Sequence, residues 1–317
     1  MAVIEIENVT KTFKSRGRQT VANDDVSLRV NEGEVFGLFG HNGAGKTTIV
    51  NQLLGLLKPD KGSLVIAGED IVKNPNRGRY LCSVQPQAKT PLSELTPRAV
   101  TRVMGKLRGV SDETVEKRTN ELFERLDIMQ WADVPGKELS GGVTRLTGFC
   151  MAAICPGRAV VLDEPTNDVD PVRRRYLWNA IRDLTRDGTA VVLVTHSIRE
   201  AESTVDEVAV LDRGKVLLQG NASKIKAEAI GNRMKLEAVA RAGAGEIVSP
   251  DWAESMKIAE AELTLTFDRG LAARALEWAS DQHENRTIGA YALTEITLED
   301  LYIDLVGKAE ETEDALH

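Results

Sequence analysis

Residues 40–47 read Gly-His-Asn-Gly-Ala-Gly-Lys-Thr, a glycine-rich turn set directly after the apolar stretch Val35–Phe39. Glycines at this spacing let backbone N–H groups turn inward around phosphate oxygens, and the positive end of a following helix adds to the attraction. Lys46 is placed to reach the β- and γ-phosphates of a nucleotide, and the Thr47 hydroxyl to ligate Mg²⁺. The plain alternative is a tight turn with a chance lysine, which the strand before and the helix after count against. A second group, Val160-Val161-Leu162-Asp163-Glu164, is an apolar strand ending in two carboxylates. Successive side chains at a strand end point apart, so the pair can divide two jobs. Asp163 suits the Mg²⁺ shell, and Glu164 suits a general base that takes a proton from, or orients, an attacking water. Alone, they would read as solvated acids ahead of Pro165. Beside a phosphate loop they read as a hydrolytic pair.

Leu139-Ser140-Gly141-Gly142 precedes the acidic strand at the apparent start of a helix, Gln87 follows Pro86, and His196 follows the apolar run Ala190–Thr195. With Gly40–Thr47 and Asp163–Glu164, this series resembles the ATP-binding-cassette (ABC) ATPases in order and spacing over roughly residues 1–220. The resemblance implies an α/β fold of the P-loop NTPase type, with a RecA-like core, an antiparallel β subdomain and a helical subdomain over about 89–150. It makes ATP and Mg²⁺ the cofactors and hydrolysis to ADP and phosphate the reaction. It assigns Gly40, His41, Asn42, Gly43, Ala44, Gly45, Lys46, Thr47 and Thr48 to the nucleotide's phosphates, and Phe13 to adenine stacking. Thr47, Gln87 and Asp163 fall to the metal, Glu164, His196, Gln87 and Lys46 to catalysis, and Asp170 to the D-loop. Leu139–Gly142 match the signature that completes the ATP site of a partner subunit, which implies a homodimer or a pairing with a homologous cassette. Singly, Phe13 also reads as core, Gln87 as a surface amide and His196 as an exposed strand-end histidine. Val143 departs from the family's glutamine at the fifth signature position, and Asn167-Asp168-Val169-Asp170 is more polar than many D-loops.

The elements that must position these residues show in the hydropathy. Val3, Ile4, Ile6 and Val9, then Val26, Leu28 and Val30, alternate as half-buried strands around a polar loop at Lys14–Thr20. The phosphate loop opens a helix ending near Leu57, and Ser63–Ile66 is a strand. Thr96 predicts an N-cap with Pro97 at the first helical position, and Val115, Leu122, Phe123 and Leu126 predict a helical stripe. Ala159–Leu162 and Ala190–Val194 are β-branched runs of the parallel-sheet kind. Asn221–Ser223 predicts a linker and 242–251 a loop. A small α+β domain over 221–317 follows, with strands at Leu263–Phe267 and Ile288–Leu293, a helix over Leu271–Ala279, an amphipathic helix at Leu298–Leu305 and an acidic tail at Glu310–Asp314.

Composition limits the remaining choices. The 317 residues carry a net charge of −8, and from Asn221 onward 10 Lys and Arg face 19 Asp and Glu, against 30 and 29 before it. No basic face points to nucleic acid. Three cysteines, Cys82, Cys150 and Cys155, make no disulfide framework and read as core residues. The opening MAVIEIENVT has no signal-peptide character, and no run approaches membrane-span length. The resemblance to ABC ATPases then implies a peripheral protein at the cytoplasmic face of the cell membrane, coupled to an integral membrane permease through the family's groove near the Q-loop, here Gln87 and Ala88–Thr96. Thr297-Leu298-Glu299-Asp300-Leu301-Tyr302 resembles the ending of cassettes serving type-two exporters of the daunorubicin-resistance kind, and it also reads as an ordinary helix start. A regulatory ABC ATPase or an importer ATPase are the alternatives.

Overall fold

The computed structural model describes residues 1–15, 18–88, 92–241 and 247–314. It divides into two units, Met1–Ala222 and Ser223–His317.

The first unit opens with a long hairpin, β1 (Ala2–Ser15) and β2 (Arg18–Asn31), followed by β3 (Val35–Phe39) and α1 (Lys46–Leu53). Then come β4 (Lys61–Ile66), β5 (Glu69–Asp70), α2 (Pro75–Leu81) and β6 (Cys82–Gln85). A helical stretch holds α3 (Pro97–Leu107), α4 (Asp112–Arg125) and α5 (Gly141–Ala153). The chain returns to β7 (Ala159–Asp163), α6 (Pro171–Arg186), β8 (Ala190–Thr195), α7 (Ile198–Ala201), β9 (Glu207–Asp212) and β10 (Lys215–Asn221). Two sheets result. One is antiparallel, in the order β2-β1-β4-β5. The other runs β10-β9-β3-β8-β7-β6 and is parallel except for β10. Their inner faces share one core with α1: Ile4, Leu28, Leu64 and Ile66 meet Phe36, Leu38, Val192 and Val194 together with Ile49 and Leu53. Thr96 caps α3 through a bond from the Ala99 amide.

The second unit contains α8 (Ala222–Ile230), β11 (Arg233–Ala240), β12 (Ser255–Ala259), β13 (Glu262–Asp268), α9 (Ala272–Glu284), β14 (Ile288–Glu295) and α10 (Leu298–Asp314). Its sheet order is β12-β13-β11-β14, antiparallel throughout. Because β13 and β14 both run against β11, they are parallel to each other, and α9 is the crossover between them. Leu263, Leu265 and Phe267 alternate inward onto Ala275 and Ala279 of α9.

Several expectations change. The first helix stops at Leu53; Leu54–Leu57 turn back, with the Leu56 and Leu57 amides bonded to the Asn51 carbonyl. The two units divide within the triplet Asn221–Ser223, as expected of a linker, but the triplet is regular structure and not a loop. β10 runs to Asn221, and the Ala222 amide, the first of α8, donates to the Asp206 carbonyl. The strands of the opening hairpin consume most of Lys14–Thr20, and residues 16–17 lie outside the described residues. So do 89–91 of the expected permease-facing segment, 242–246 of the expected loop over 242–251, and the acidic side chains of the tail. Cys82 and Cys150 are buried, and burial pushes the Cys82 thiol up to about 12. Cys155 is only partly covered, at the rim of a cavity between α4 and the end of α5.

The Thr297–Tyr302 motif has a clear local job. The Asp300 amide donates to the Thr297 hydroxyl, and both the Thr297 amide and hydroxyl donate to the Asp300 carboxylate. This is the reciprocal capping arrangement of a helix start. The same carboxylate accepts from Lys235 Nζ at 2.7 Å, and Glu237 adds a second partner at 2.6 Å. The Lys235 side chain is 8% exposed. Burial works against its charge, but the bonds to Asp300 and Glu237 prevail and raise its pKa. Asp300→Ala should therefore keep the bond from the residue-300 amide to the Thr297 hydroxyl but remove the carboxylate half of the cap and leave a buried ammonium with one partner, costing about 2 kcal/mol. A lowered urea midpoint would register it, and an unchanged midpoint would deny the pair that role.

Candidate functional site

The parallel sheet gathers the site at one edge. β3 lies beside β8, β8 beside β7 and β7 beside β6, with Phe39 opposite Thr195, Asp163 opposite Val194, and Gln85 opposite Leu162. The carboxyl ends of these four strands carry Gly40, Thr195–His196, Asp163–Glu164 and Pro86–Gln87 respectively. Ligands of open α/β sheets bind outside such strand ends.

Gly40–Gly45 wrap from β3 into α1. A Cβ at Gly40 would lie 2.3 Å from the Leu211 carbonyl, and one at Gly45 would lie 2.2 Å from the Ala22 carbonyl. Only glycine permits these approaches, and both residues also have positive φ. Gly45 is the N-cap of α1 and brings no side-chain cap; the Thr48 amide donates to the Gly45 carbonyl at 3.1 Å, and the Lys46 and Thr47 amides ahead of it are the ones a ligand can take. Lys46 is buried and folds back over the loop, donating to the carbonyls of Gly40 at 2.5 Å and His41 at 3.0 Å. Burial lowers its pKa, against the opposing charges of Glu164 and Asp163. The loop has a further anchor that its sequence did not advertise: His41 Nε2 lies 2.7 Å from the Asp212 carboxylate at the end of β9.

The two carboxylates differ sharply. Glu164 sits in the left-handed region at φ 51, a strained setting for a non-glycine residue. Its Oε1 accepts from the His196 amide at 2.9 Å and lies 2.6 Å from His196 Nδ1, while Oε2 accepts from the Thr195 hydroxyl at 2.9 Å. Both oxygens are thus held against the end of β8. Asp163 is buried at the end of β7, and its pKa is raised to about 6 by burial first and by Glu164 second, with Lys46 and Arg145 opposing. A carboxylate kept charged in such a place opposes folding. Asp163→Asn should stabilise the nucleotide-free protein by about 2 kcal/mol at neutral pH, seen as a higher melting temperature, while stopping ATP turnover. A variant no more stable than the wild type would show that Asp163 is already compensated.

Phe13 is not core. On β1 it is 42% exposed, with Lys11 Nζ 5.7 Å from its ring centre, leaving a face open for stacking. Gln87 is exposed, and its carbonyl accepts from Arg145. The signature residues stand elsewhere. Ser140 caps α5 through the Val143 amide, and Ser140–Val143 line a cavity of about 350 Å³ with Trp131, Asp168, Asp170 and Arg173. No residue of the phosphate loop lines it. A Cβ on Gly142 would meet the Asp168 carbonyl at 2.6 Å, so this glycine lets the D-loop lie on the helix start. Val143 points inward and is 4% exposed. Asp170 caps α6, accepting from the amides of Val172 and Arg173 and pairing with the Arg173 side chain. Sequence reading missed Arg145, Gln85 and Asp212. The first had a signal, as the lone charge of a helix that is otherwise uncharged.

A model of the ABC transporter family matches residues 23–167. The Nod factor export ATP-binding protein I of Ralstonia nicotianae is 35% identical over 229 residues, covering 72% of this chain and 70% of that protein. A daunorubicin resistance ATP-binding protein of Streptomyces coeruleorubidus is 35% identical over 213 residues, 67% of each chain. Among solved structures, an ATP-binding cassette of an ABC transporter in its ADP conformation superimposes with a TM-score of 0.61 at 26% identity, over 72% of this chain and 94% of that one. A cassette solved as a dimer in a post-hydrolysis state with ADP and Pi gives 0.62 at 24% identity, over 69% and 98%.

Proposed function

The chain belongs to the ATP-binding proteins of the ABC transporter family, which bind ATP and split it to ADP and phosphate, and from that premise we propose that it powers an exporter as a dimer closed around two ATP molecules. The observation carrying the dimer is the separation of two phosphate-type helix starts. Lys46 and the loop before α1 form one half-site, and Ser140 with the start of α5 forms another that lines its own cavity. Two chains placed head to tail would set each α5 start against the partner's α1 start. Such an arrangement is a ligand-biased two-state element, closed with ATP and loosened after hydrolysis.

Within each pocket Phe13 stacks on the adenine, Gly40–Thr48 cradle the phosphates, and Lys46 moves from the Gly40 and His41 carbonyls to the phosphate oxygens. The Thr47 hydroxyl, the Asp163 carboxylate and the Gln87 amide oxygen are hard donors of the type Mg²⁺ takes beside phosphates, and no cluster of three or more His, Cys, Asp or Glu suited to another metal occurs among the described residues. Bound there, Mg²⁺ would neutralise charge on the phosphate oxygens. Glu164 accepts the proton of the attacking water, and His196 holds its carboxylate in line. Asp170 works by fixing the D-loop against α6.

Export follows from the relatives, named for Nod factor export and daunorubicin resistance. No helix among the described residues is long and apolar enough to cross a membrane. The conduit is therefore assigned to a separate integral membrane permease, with this chain peripheral at its cytoplasmic face. The permease is expected to dock at the groove beside Gln87 and Ala88–Thr96. Co-purification with a membrane protein of about six spans, followed by ATP turnover stimulated by exported compounds in vesicles, tests the reading. Turnover coupled to a solute-binding protein would make it an importer. Failure to bind any permease would favour a regulatory ATPase.

A further inference from the structure

We propose that Arg145 is a positioning residue for ATP turnover, fixing the segment around Gln87 to the signature helix α5 so that the two move as one body. The helix GGVTRLTGFCMAA has Arg145 as its only charged residue, and that residue is 6% exposed. Burying a guanidinium is costly unless its donors find acceptors, and although the Arg145 Nε is buried without a partner among the described residues, both terminal nitrogens are used. Here Nη1 donates to the Pro86 carbonyl at 3.0 Å and Nη2 to the Gln87 carbonyl at 2.8 Å. The link is returned, since Gln85 Nε2 donates to the Arg145 carbonyl at 2.9 Å. Three successive residues, 85 to 87, are therefore tied to one position of α5. The guanidinium fork presents two donors in a fixed plane to two consecutive carbonyls, a match that a single ammonium cannot reproduce. The charge of Arg145 also acts on Asp163, favouring its ionised form.

The consequence rests on the function proposed above. Gln87 serves the nucleotide of its own chain, whereas Ser140, at the start of the same helix as Arg145, serves the partner's. A displacement of Gln87 by one nucleotide then carries the α5 start with it and alters the grip on the other. This gives the two pockets a coupling free energy through a named contact.

The test compares the full-length wild type with Arg145→Lys and Gln85→Leu, measuring ATP turnover against ATP concentration and the ATP-induced melting shift. Arg145→Lys should lower kcat about ten-fold, since small displacements of positioned groups are costly. KM and the melting shift should stay within about two-fold, because the phosphate loop is untouched. The Hill coefficient should fall toward one. Gln85→Leu, which keeps the arginine and removes only the return bond, should move kcat and the Hill coefficient the same way by a smaller factor. Wild-type kcat in Arg145→Lys overturns the proposal. So does a kcat loss matched by a lost melting shift, which would make Arg145 a packing residue. If Arg145→Lys does not fold, wild-type values for Gln85→Leu overturn it. A wild type that hydrolyses ATP as an uncooperative monomer would defeat the two-pocket reading instead, and the kcat of Arg145→Lys would still decide whether Arg145 positions Gln87.

Discussion

Glu164→Gln should bind ATP as tightly as the wild type, release phosphate about 10²–10⁴-fold more slowly, and accumulate as an ATP-bound dimer. The substitution keeps the size and most of the bonding of the side chain. The remaining amide oxygen can still accept from the His196 amide or the Thr195 hydroxyl, the contacts that hold Glu164 against the end of β8. What it removes is the capacity to take a proton. The carboxylate sits 2.6 Å from His196 Nδ1 and next to Asp163, and in the proposed reading it is the group that orients and deprotonates the attacking water. Binding survives because Lys46 and the loop amides lie on β3 and α1 and do not depend on Glu164 for their geometry. The dimer accumulates because the step that loosens it is blocked. Phosphate release and gel filtration with and without ATP read both effects. Near-normal release would take Glu164 out of the base role, and a monomer in saturating ATP would remove the closed dimer.

Much of this site is visible in the chain before folding. The phosphate loop is legible because its glycines, its lysine, the apolar strand before it and the helix after it all agree on one local structure. The acidic strand end is legible for the same reason. What local pattern does not give is adjacency. That Glu164 reaches His196, and Gln85 reaches Arg145, depends on the order β3-β8-β7-β6, which is set by crossovers between strands distant in sequence. The second unit shows the converse difficulty. β11 reads Arg-Met-Lys-Leu-Glu-Ala-Val-Ala, and its buried Lys235 breaks the hydrophobic alternation, which Asp300 compensates from sixty-five residues away. β12 is an edge strand with mostly exposed residues, so it carries little alternation to read. Asn221–Ser223 reads as a break because its residues are small and mostly polar, and the two units do divide there, yet the chain is ordered through it. Contacts to the Asp206 carbonyl from the Asn221 side chain and the Ala222 amide override that preference.

Lys46→Ala should abolish the rise in melting temperature that ATP gives the wild type, and with it all turnover. A ligand at about 100 times its Kd stabilises the native state by about 2.7 kcal/mol, and this is the quantity at stake. In the nucleotide-free protein two effects of the substitution oppose each other. Removing a buried ammonium relieves the desolvation that lowers its pKa, yet Asp163 and Glu164 lose the cation that faces them, and the Gly40 and His41 carbonyls lose a donor. The apo melting temperature therefore carries little information, and the difference with and without ATP carries the result. That difference separates the two variants argued here. Glu164→Gln keeps or enlarges the ATP shift and stays bound without turning over, whereas Lys46→Ala fails one step earlier. A normal ATP shift in Lys46→Ala would mean that the loop amides and Thr47 hold the phosphates unaided, and that the lysine acts only once the γ-phosphate begins to leave.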